Sequence, residues 1–177
     1  MGRKGKPRTP LAAIGGTNPN YKAPGTGTQY THNCQRVVYA FEERMRGYNV
    51  EAQPYQARND PMGGGNWKRV YKGQTWESNL GRTKDKVVDG IHSRMTAWGD
   101  GARAIIYVKW AGVRSAHVFN VVQENGKTHA YDAQSGKRVS LTRYINLSQP
   151  TKTMISRVDN LTERNPIMEK ILKRGTK

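Results

Sequence analysis

Apolar residues recur at helical spacing through Cys34, Val37, Val38, Phe41 and Met45, which predicts a first helix with one buried stripe. Thr31 or Asn33 can cap its start, and Gly47 is placed to end it. Residues 48–52 read as a short strand. Over residues 53–82 the period is lost. Pro54, Pro61 and the Gly63-Gly64-Gly65 run predict a long loop there, anchored by Trp67, Tyr71 and Trp76. Such segments are often lids or binding loops, and a variable insertion is the plainer alternative. Val87, Val88, Ile91, Met95 and Trp98 form the stripe of a second helix over residues 83–98, broken by Gly99-Asp100-Gly101. Three strand candidates follow, at 102–110, 116–123 and 127–133. The last two are joined by Glu124-Asn125-Gly126-Lys127, and Asn-Gly is a strong hairpin signal. A further strand is expected at 152–158 and a basic helix at 166–174. Helices first and a mainly antiparallel sheet afterwards make an α+β domain.

Composition changes the picture at the two ends. With 35% hydrophobic residues and a mean hydropathy of −0.85, the chain is lean, so part of its 177 residues is expected to be tail or loop. Residues 1–27 carry Pro7, Pro10, Pro19 and Pro24 together with Arg3, Lys4, Lys6 and Arg8. They read as a basic arm that buries little and stays mobile until it meets a partner. The organisation expected is therefore an arm at 1–27, a folded domain at 28–160 and a basic C-terminal helix or tail at 161–177.

With 30 Lys+Arg against 13 Asp+Glu, the formal charge is +17. That balance points to a polyanionic neighbour, such as nucleic acid, an anionic membrane or an acidic protein surface. A charge that serves only solubility or delivery is the other reading. No apolar run is long enough to span a bilayer. The basic N-terminus lacks the hydrophobic stretch of a secretory signal, so synthesis in a cytoplasm is expected. Delivery to a target cell and packaging with a phage particle both stay open.

The chemistry centres on Cys34, the one cysteine, which excludes an internal disulfide framework and a cysteine-rich zinc site. At a helix start it would feel unsatisfied backbone N–H groups and the positive end of the helix dipole, which favour thiolate over thiol. A lone cysteine is also commonly a small buried hydrophobe. His117 and Asp132 follow it in chain order. In a tight hairpin centred between Asn125 and Gly126, residue 117 lies opposite 134 and residue 132 opposite 119. His117, Asp132 and Gln134 should then gather at one end of the hairpin. Asp132 could fix the imidazole tautomer and aim the other nitrogen at Cys34, as base, acid and orienter do around a nucleophile. Each has a plainer alternative: a turn residue for Asp132, a structural hydrogen bond for His117. His32, His92 and His129 are weaker candidates, with His32 the nearest alternative base.

Asn33-Cys34-Gln35, the strand Gly101-Ala102-Arg103-Ala104-Ile105-Ile106, His117-Val118-Phe119-Asn120, Asn125-Gly126 and Asp132-Ala133-Gln134-Ser135-Gly136-Lys137 together resemble the papain-fold toxin families. These include bacterial effector domains that deamidate glutamine side chains. The resemblance covers roughly residues 17–160. It implies a papain-like α+β fold with Cys34 as nucleophile, His117 as general base and acid, and Asp132 orienting His117. Gln134 matches the Asp-x-Gln position of that family and is read as supporting geometry. The Cys34 backbone N–H is a natural oxyanion donor, with Gln29 and Asn33 as candidates for a second, side-chain donor.

The reaction this implies is hydrolysis of a protein glutamine side chain through a thioester, with no metal or organic cofactor. Proteolysis and transglutamination use the same triad, and the groove around it decides between them. A rival of another class is a non-enzymatic basic protein that binds nucleic acid or a capsid-like assembly. The expected partners are a protein substrate, an immunity protein of the kind many such toxins have, and nucleic acid or capsid through the basic surface.

Overall fold

The computed structural model describes residues 4–22 and 28–176. Thr9 caps a one-turn helix, α1 (Pro10–Ile14), its hydroxyl accepting from the Ala12 N–H at 3.3 Å. Pro10 suits that first turn because no partner for its missing N–H is needed there. The central helix is α2 (Cys34–Met45). It closes with the Tyr48 N–H on the Glu43 carbonyl at 3.0 Å and the Gly47 N–H on the Arg44 carbonyl at 2.9 Å. Gly47 takes the positive φ of 100° that this helix ending requires. A short strand follows, β1 (Val50–Ala52). The segment at 53–82 stays irregular apart from one 3-10 turn at Asn66–Lys68. It is nonetheless pinned by buried Met62, Val70, Tyr71 and Leu80.

Thr83 caps α3 (Lys84–Trp98). Then come β2 (Arg103–Lys109), β3 (Ala116–Glu124), β4 (Lys127–Asp132) and β5 (Lys137–Val139). They are followed by α4 (Leu141–Asn146), β6 (Met154–Arg157), α5 (Ile167–Ile171) and β7 (Leu172–Arg174). The main sheet is antiparallel, in the order β5-β4-β3-β2-β6. Asn125 and Gly126 both have positive φ, 51° and 74°, as the tight hairpin turn demands. Asn120 pairs with Tyr131 and Val121 with Ala130, the register expected from that turn.

Alternation along the strands divides the core into two layers. Ile105, Val118, Val122 and Tyr131 pack with Val37, Val38 and Phe41 of α2. On the other face, Ala104, Ile106, Phe119, Val121 and Ala130 pack with Ile91 and Met95 of α3 and Ile145 of α4. This is the α+β arrangement expected, a cysteine-bearing helix against an antiparallel sheet that carries His117 and Asp132.

Four features depart from the sequence reading. First, the described part of the expected arm buries Ala13, Ile14, Thr17 and Asn18. Its cations are part of the reason: Arg8 donates to the carbonyls of Arg44 and Tyr48 at 3.2 and 2.9 Å. Residues 23–27 of that arm lie outside the described residues. Second, α2 is buried nearly all round, from Arg36 to Met45, rather than along one stripe. Its polar side chains are paired accordingly. Glu42 meets Arg46 and Arg103, both at 2.7 Å, and Glu43 accepts from Tyr71 Oη at 2.6 Å and Arg164 at 2.7 Å. Third, the basic helix expected at 166–174 stops at Ile171. Leu172–Arg174 then extends as β7 to pair antiparallel with β1, satisfying an edge that would otherwise be bare. Fourth, β5 and α4 lie between the strands expected at 127–133 and 152–158.

Candidate functional site

The site forms at the end of the main sheet where β3 begins and β4 ends. Cys34 is the first residue of α2 and is half-buried. Asn33 occupies the N-cap position, with its backbone carbonyl accepting from the Arg36 and Val37 N–H groups at 2.8 and 3.2 Å. Its side chain makes no cap bond, so either expected cap, Thr31 or Asn33, leaves the first turn without side-chain capping. Thr31 instead donates to the Thr28 carbonyl at 2.7 Å.

Asn33 is fully buried in an amide cluster. It donates to Asn18 Oδ1 at 3.0 Å and to the Gln53 carbonyl at 3.3 Å, and accepts from Gln134 Nε2 at 3.5 Å. Asn18 in turn donates to the carbonyls of Tyr30 and Gln134, both at 3.0 Å. One buried cluster thus joins the N-terminal segment, the cysteine helix and the turn after β4. Gln134 sits in that cluster and not against the imidazole, because β4 ends at Asp132 and the chain turns there. Gln29 has an exposed side chain and lines a cleft of about 660 Å³ with Tyr21 and Tyr30.

His117 is 9% exposed. Its Nε2 lies 3.2 Å from Asp132 Oδ2. The approach is bent, so Nε2 is close to the carboxylate yet lacks a well-directed hydrogen-bond partner. The Cys34 side chain is the other neighbour that acts on the ionisation of the ring. With Nε2 toward Asp132, Nδ1 is the nitrogen left for sulfur. Burial alone would depress the imidazole pKa, but the Asp132 carboxylate and the Cys34 sulfur outweigh it and hold it up at about 10. Asp132 is also buried, which opposes its ionisation. His117, the Tyr144 hydroxyl and the Gln134 N–H together still hold its carboxyl below the usual range.

Two aromatic residues complete this line, and sequence reading missed both. Tyr144 on α4 donates to Asp132 Oδ2 at 2.7 Å. Trp110, just past β2, stacks on the imidazole with ring centroids 5.9 Å apart and planes 18° from parallel. Asn18 is the third omission. A Tyr at helical spacing after an Asp-x-Gln turn carries a weak signal, whereas nothing in the local sequence marks Trp110 or Asn18. Among the other histidines, His32 is exposed, His92 lies on α3, and His129 contacts Arg138 at 2.5 Å. Among the described residues, no group of three or more His, Cys, Asp or Glu side chains forms a metal-binding cluster. No described helix is long and apolar enough to cross a membrane.

A thiol at a helix start, an imidazole carrying the proton and a carboxylate behind it can perform acyl transfer. Together with the helix-on-antiparallel-sheet architecture, they define a papain-like thiol enzyme class. The chain belongs to the family described as papain fold toxin 1, glutamine deamidase, whose model matches residues 32–137. That span runs from just before the cysteine to just past Gln134 and stops short of Tyr144. No curated protein matches the chain.

Proposed function

We propose that this protein deamidates glutamine side chains of a target protein, with Cys34 as nucleophile, His117 as acid and base, and Asp132 as orienter. The single observation that carries the reading is the pairing of His117 Nε2 with Asp132 Oδ2 at 3.2 Å, with the Cys34 side chain among the groups that act on the imidazole. The Cys34 sulfur, its proton passed to His117, attacks the side-chain carbonyl carbon of glutamine, forming a C–S bond and a tetrahedral oxyanion. The uncapped start of α2 offers the Cys34 backbone N–H to that oxygen. The imidazolium of His117 gives its proton to the departing nitrogen, the C–N bond breaks, and ammonia leaves a thioester. Neutral His117 then takes a proton from water, whose oxygen attacks the thioester. The C–S bond breaks, glutamate is released, and sulfur and imidazole regain their starting states. Asp132 keeps Nε2 facing it throughout. Gln134 and Asn33 support the position of the helix start. Gln29, which lines a cleft with Tyr21 and Tyr30, is the candidate second oxyanion donor, since the Asn33 amide hydrogens are engaged elsewhere.

The test is to incubate candidate target proteins with wild-type protein and with Cys34→Ala, and to read intact and peptide masses. Glutamine-to-glutamate conversion with wild type only is the expected result. Conversion by both samples would remove the proposal. Backbone cleavage would make the enzyme a protease, and amine adducts on glutamine would make it a transglutaminase.

A further inference from the structure

Beside the His117–Asp132 pair, on the side of Trp110 and Tyr144, lies a second cleft of about 540 Å³. Its walls come from the end of β2, from β5 and from α4. Trp110 and Tyr144, which touch His117 and Asp132, form one wall, so the cleft adjoins the reacting groups. Arg143 stands at its exposed rim, whereas the Arg138 guanidinium lies against His129 Nδ1 at 2.5 Å on the sheet face of Tyr131. Arg143 has no carboxylate within 4 Å among the described residues, whereas Arg36, Arg46, Arg94, Arg103, Arg157 and Arg164 each have one. The remaining wall is aliphatic, from half-buried Val139 and from Leu147, which is 54% exposed. Leu147 is held in place, since its carbonyl accepts from the Ala111 N–H at 3.0 Å, tying the end of α4 to the hairpin between β2 and β3.

The wider charge pattern agrees. Between Ala102 and Val158 the chain contains two carboxylates, Glu124 and Asp132. Glu124 lies at the opposite end of the sheet, beside the Asn125-Gly126 turn, and Asp132 is buried. Lys109, Arg114, Lys137, Arg138 and Arg143 are carried by elements at the end holding the site. A partner approaching that end therefore meets unopposed positive charge with an apolar floor. A nucleic acid strand would want free aromatic faces for its bases. Here Trp110 is stacked on His117 and edge-on to Tyr144, and the open walls are aliphatic. An acidic polypeptide with an apolar residue is the better match.

We infer that this cleft is a docking site for an acidic segment of the protein substrate, with a carboxylate on Arg143 and an apolar side chain on Leu147 and Val139. The inference rests on the deamidase reading for the identity of its occupant. It makes the enzyme selective for glutamines in acidic surroundings.

The test uses Cys34→Ala protein, so that binding is measured without turnover. Three fluorescent synthetic peptides share a central glutamine: one flanked by Asp, Glu and a Leu, one with Asn and Ser replacing the acids, and one with the acids but no Leu. Anisotropy titrations should give the first an affinity about threefold above the second, the order expected for one partly exposed charge contact, and a measurable advantage over the third. The charge swap Arg143→Glu should erase the preference for acids while the thermal transition is unchanged. Leu147→Ser should erase only the advantage of the Leu. Equal affinity for acidic and neutral peptides, or a preference untouched by the charge swap, overturns the inference. A single-stranded oligonucleotide that binds more tightly than the acidic peptide, and loses that binding in the same variant, overturns it in favour of nucleic acid. Wild-type turnover on the same peptides is read separately by ammonia release. Cleft-dependent binding without ammonia would sink the deamidase reading and leave the docking site standing.

Discussion

Tyr144 Oη and His117 Nε2 converge on one oxygen, Oδ2 of Asp132, at 2.7 and 3.2 Å. The carboxylate is thus oriented from α4 on one side and faces the imidazole on the other. Tyr144 touches no reacting atom and is a positioning residue. Tyr144→Phe removes the hydroxyl and keeps the ring packing against Phe119 and Trp110. A hydrogen bond to a charged group is worth roughly 1.5–3 kcal/mol, so kcat/KM should fall about tenfold or more. The acid limb of the pH profile should also move up, because Asp132 loses one of the donors that hold its pKa down. A fall in activity with an unmoved profile would mean that Tyr144 serves packing alone.

The imidazole is held protonated by its neighbours, and the sign of that effect can be followed through pH. The pKa of His117 is raised from 6.5 to about 10. Its ion pairing therefore contributes stability in full below about 6.5 and loses it as pH rises through about 10. The carboxyl of Asp132 is shifted the other way, so its contribution is present above 3.8 and is lost as pH falls through its lower folded value. In the proposed deamidation the proton on His117 goes to the departing nitrogen, so the alkaline limb of activity should lie near pH 10. Asp132→Asn should bring that limb down toward 6.5. A ring-proton NMR titration of His117 checks this directly, and a wild-type midpoint near 6.5 would contradict it.

Asn18 belongs to a segment expected to be an arm, yet its amide serves the carbonyls of Tyr30 and Gln134 and the side chain of Asn33. Asn18→Ala leaves the Tyr30 and Gln134 carbonyls without that donor, a cost of roughly 1–3 kcal/mol. Chemical denaturation should show that loss. Turnover of the folded protein should fall too, since the start of α2 loses its tie to the turn after Asp132.

Glu43 tests the far end of α2. It is completely buried and accepts from Tyr71 at 2.6 Å and Arg164 at 2.7 Å. Breaking a buried charge pair by removing one partner costs about 3–5 kcal/mol. Glu43→Ala should show that loss in urea unfolding, with kcat of the remaining folded protein unchanged because the residue is remote from Cys34.

The parts of this molecule legible in its sequence are those set by local chemistry. The Asn125-Gly126 turn fixes pairing along β3 and β4, and from it the proximity of His117 and Asp132 could be counted out. The start of α2 at Cys34 and its end near Gly47 follow from apolar spacing and a glycine that tolerates positive φ. What escaped depends on distant partners. Residues 10–14 look like an arm by composition, and their burial comes from the groove that α2 and β1 provide. Residues 172–174 continue a helical pattern until pairing with β1 outweighs it. Arg36, Glu42, Glu43 and Arg44 look like a solvated face, and only the guanidinium, hydroxyl and carboxylate partners brought from elsewhere allow their burial. Tyr144 and Trp110 reach the site from α4 and the end of β2 through contacts that no short window contains.

Both ends of the described chain fasten beside the same strand. The Gly5 N–H bonds to the Gly47 carbonyl and the Gly175 N–H to the Asn49 carbonyl, each at 2.9 Å. That junction follows the C-terminus of α2, whereas the sulfur is at its N-terminus, a helix length of roughly 18 Å away. Polypeptide fused before Gly5 or after Gly175 would join the domain at the end of α2 opposite Cys34.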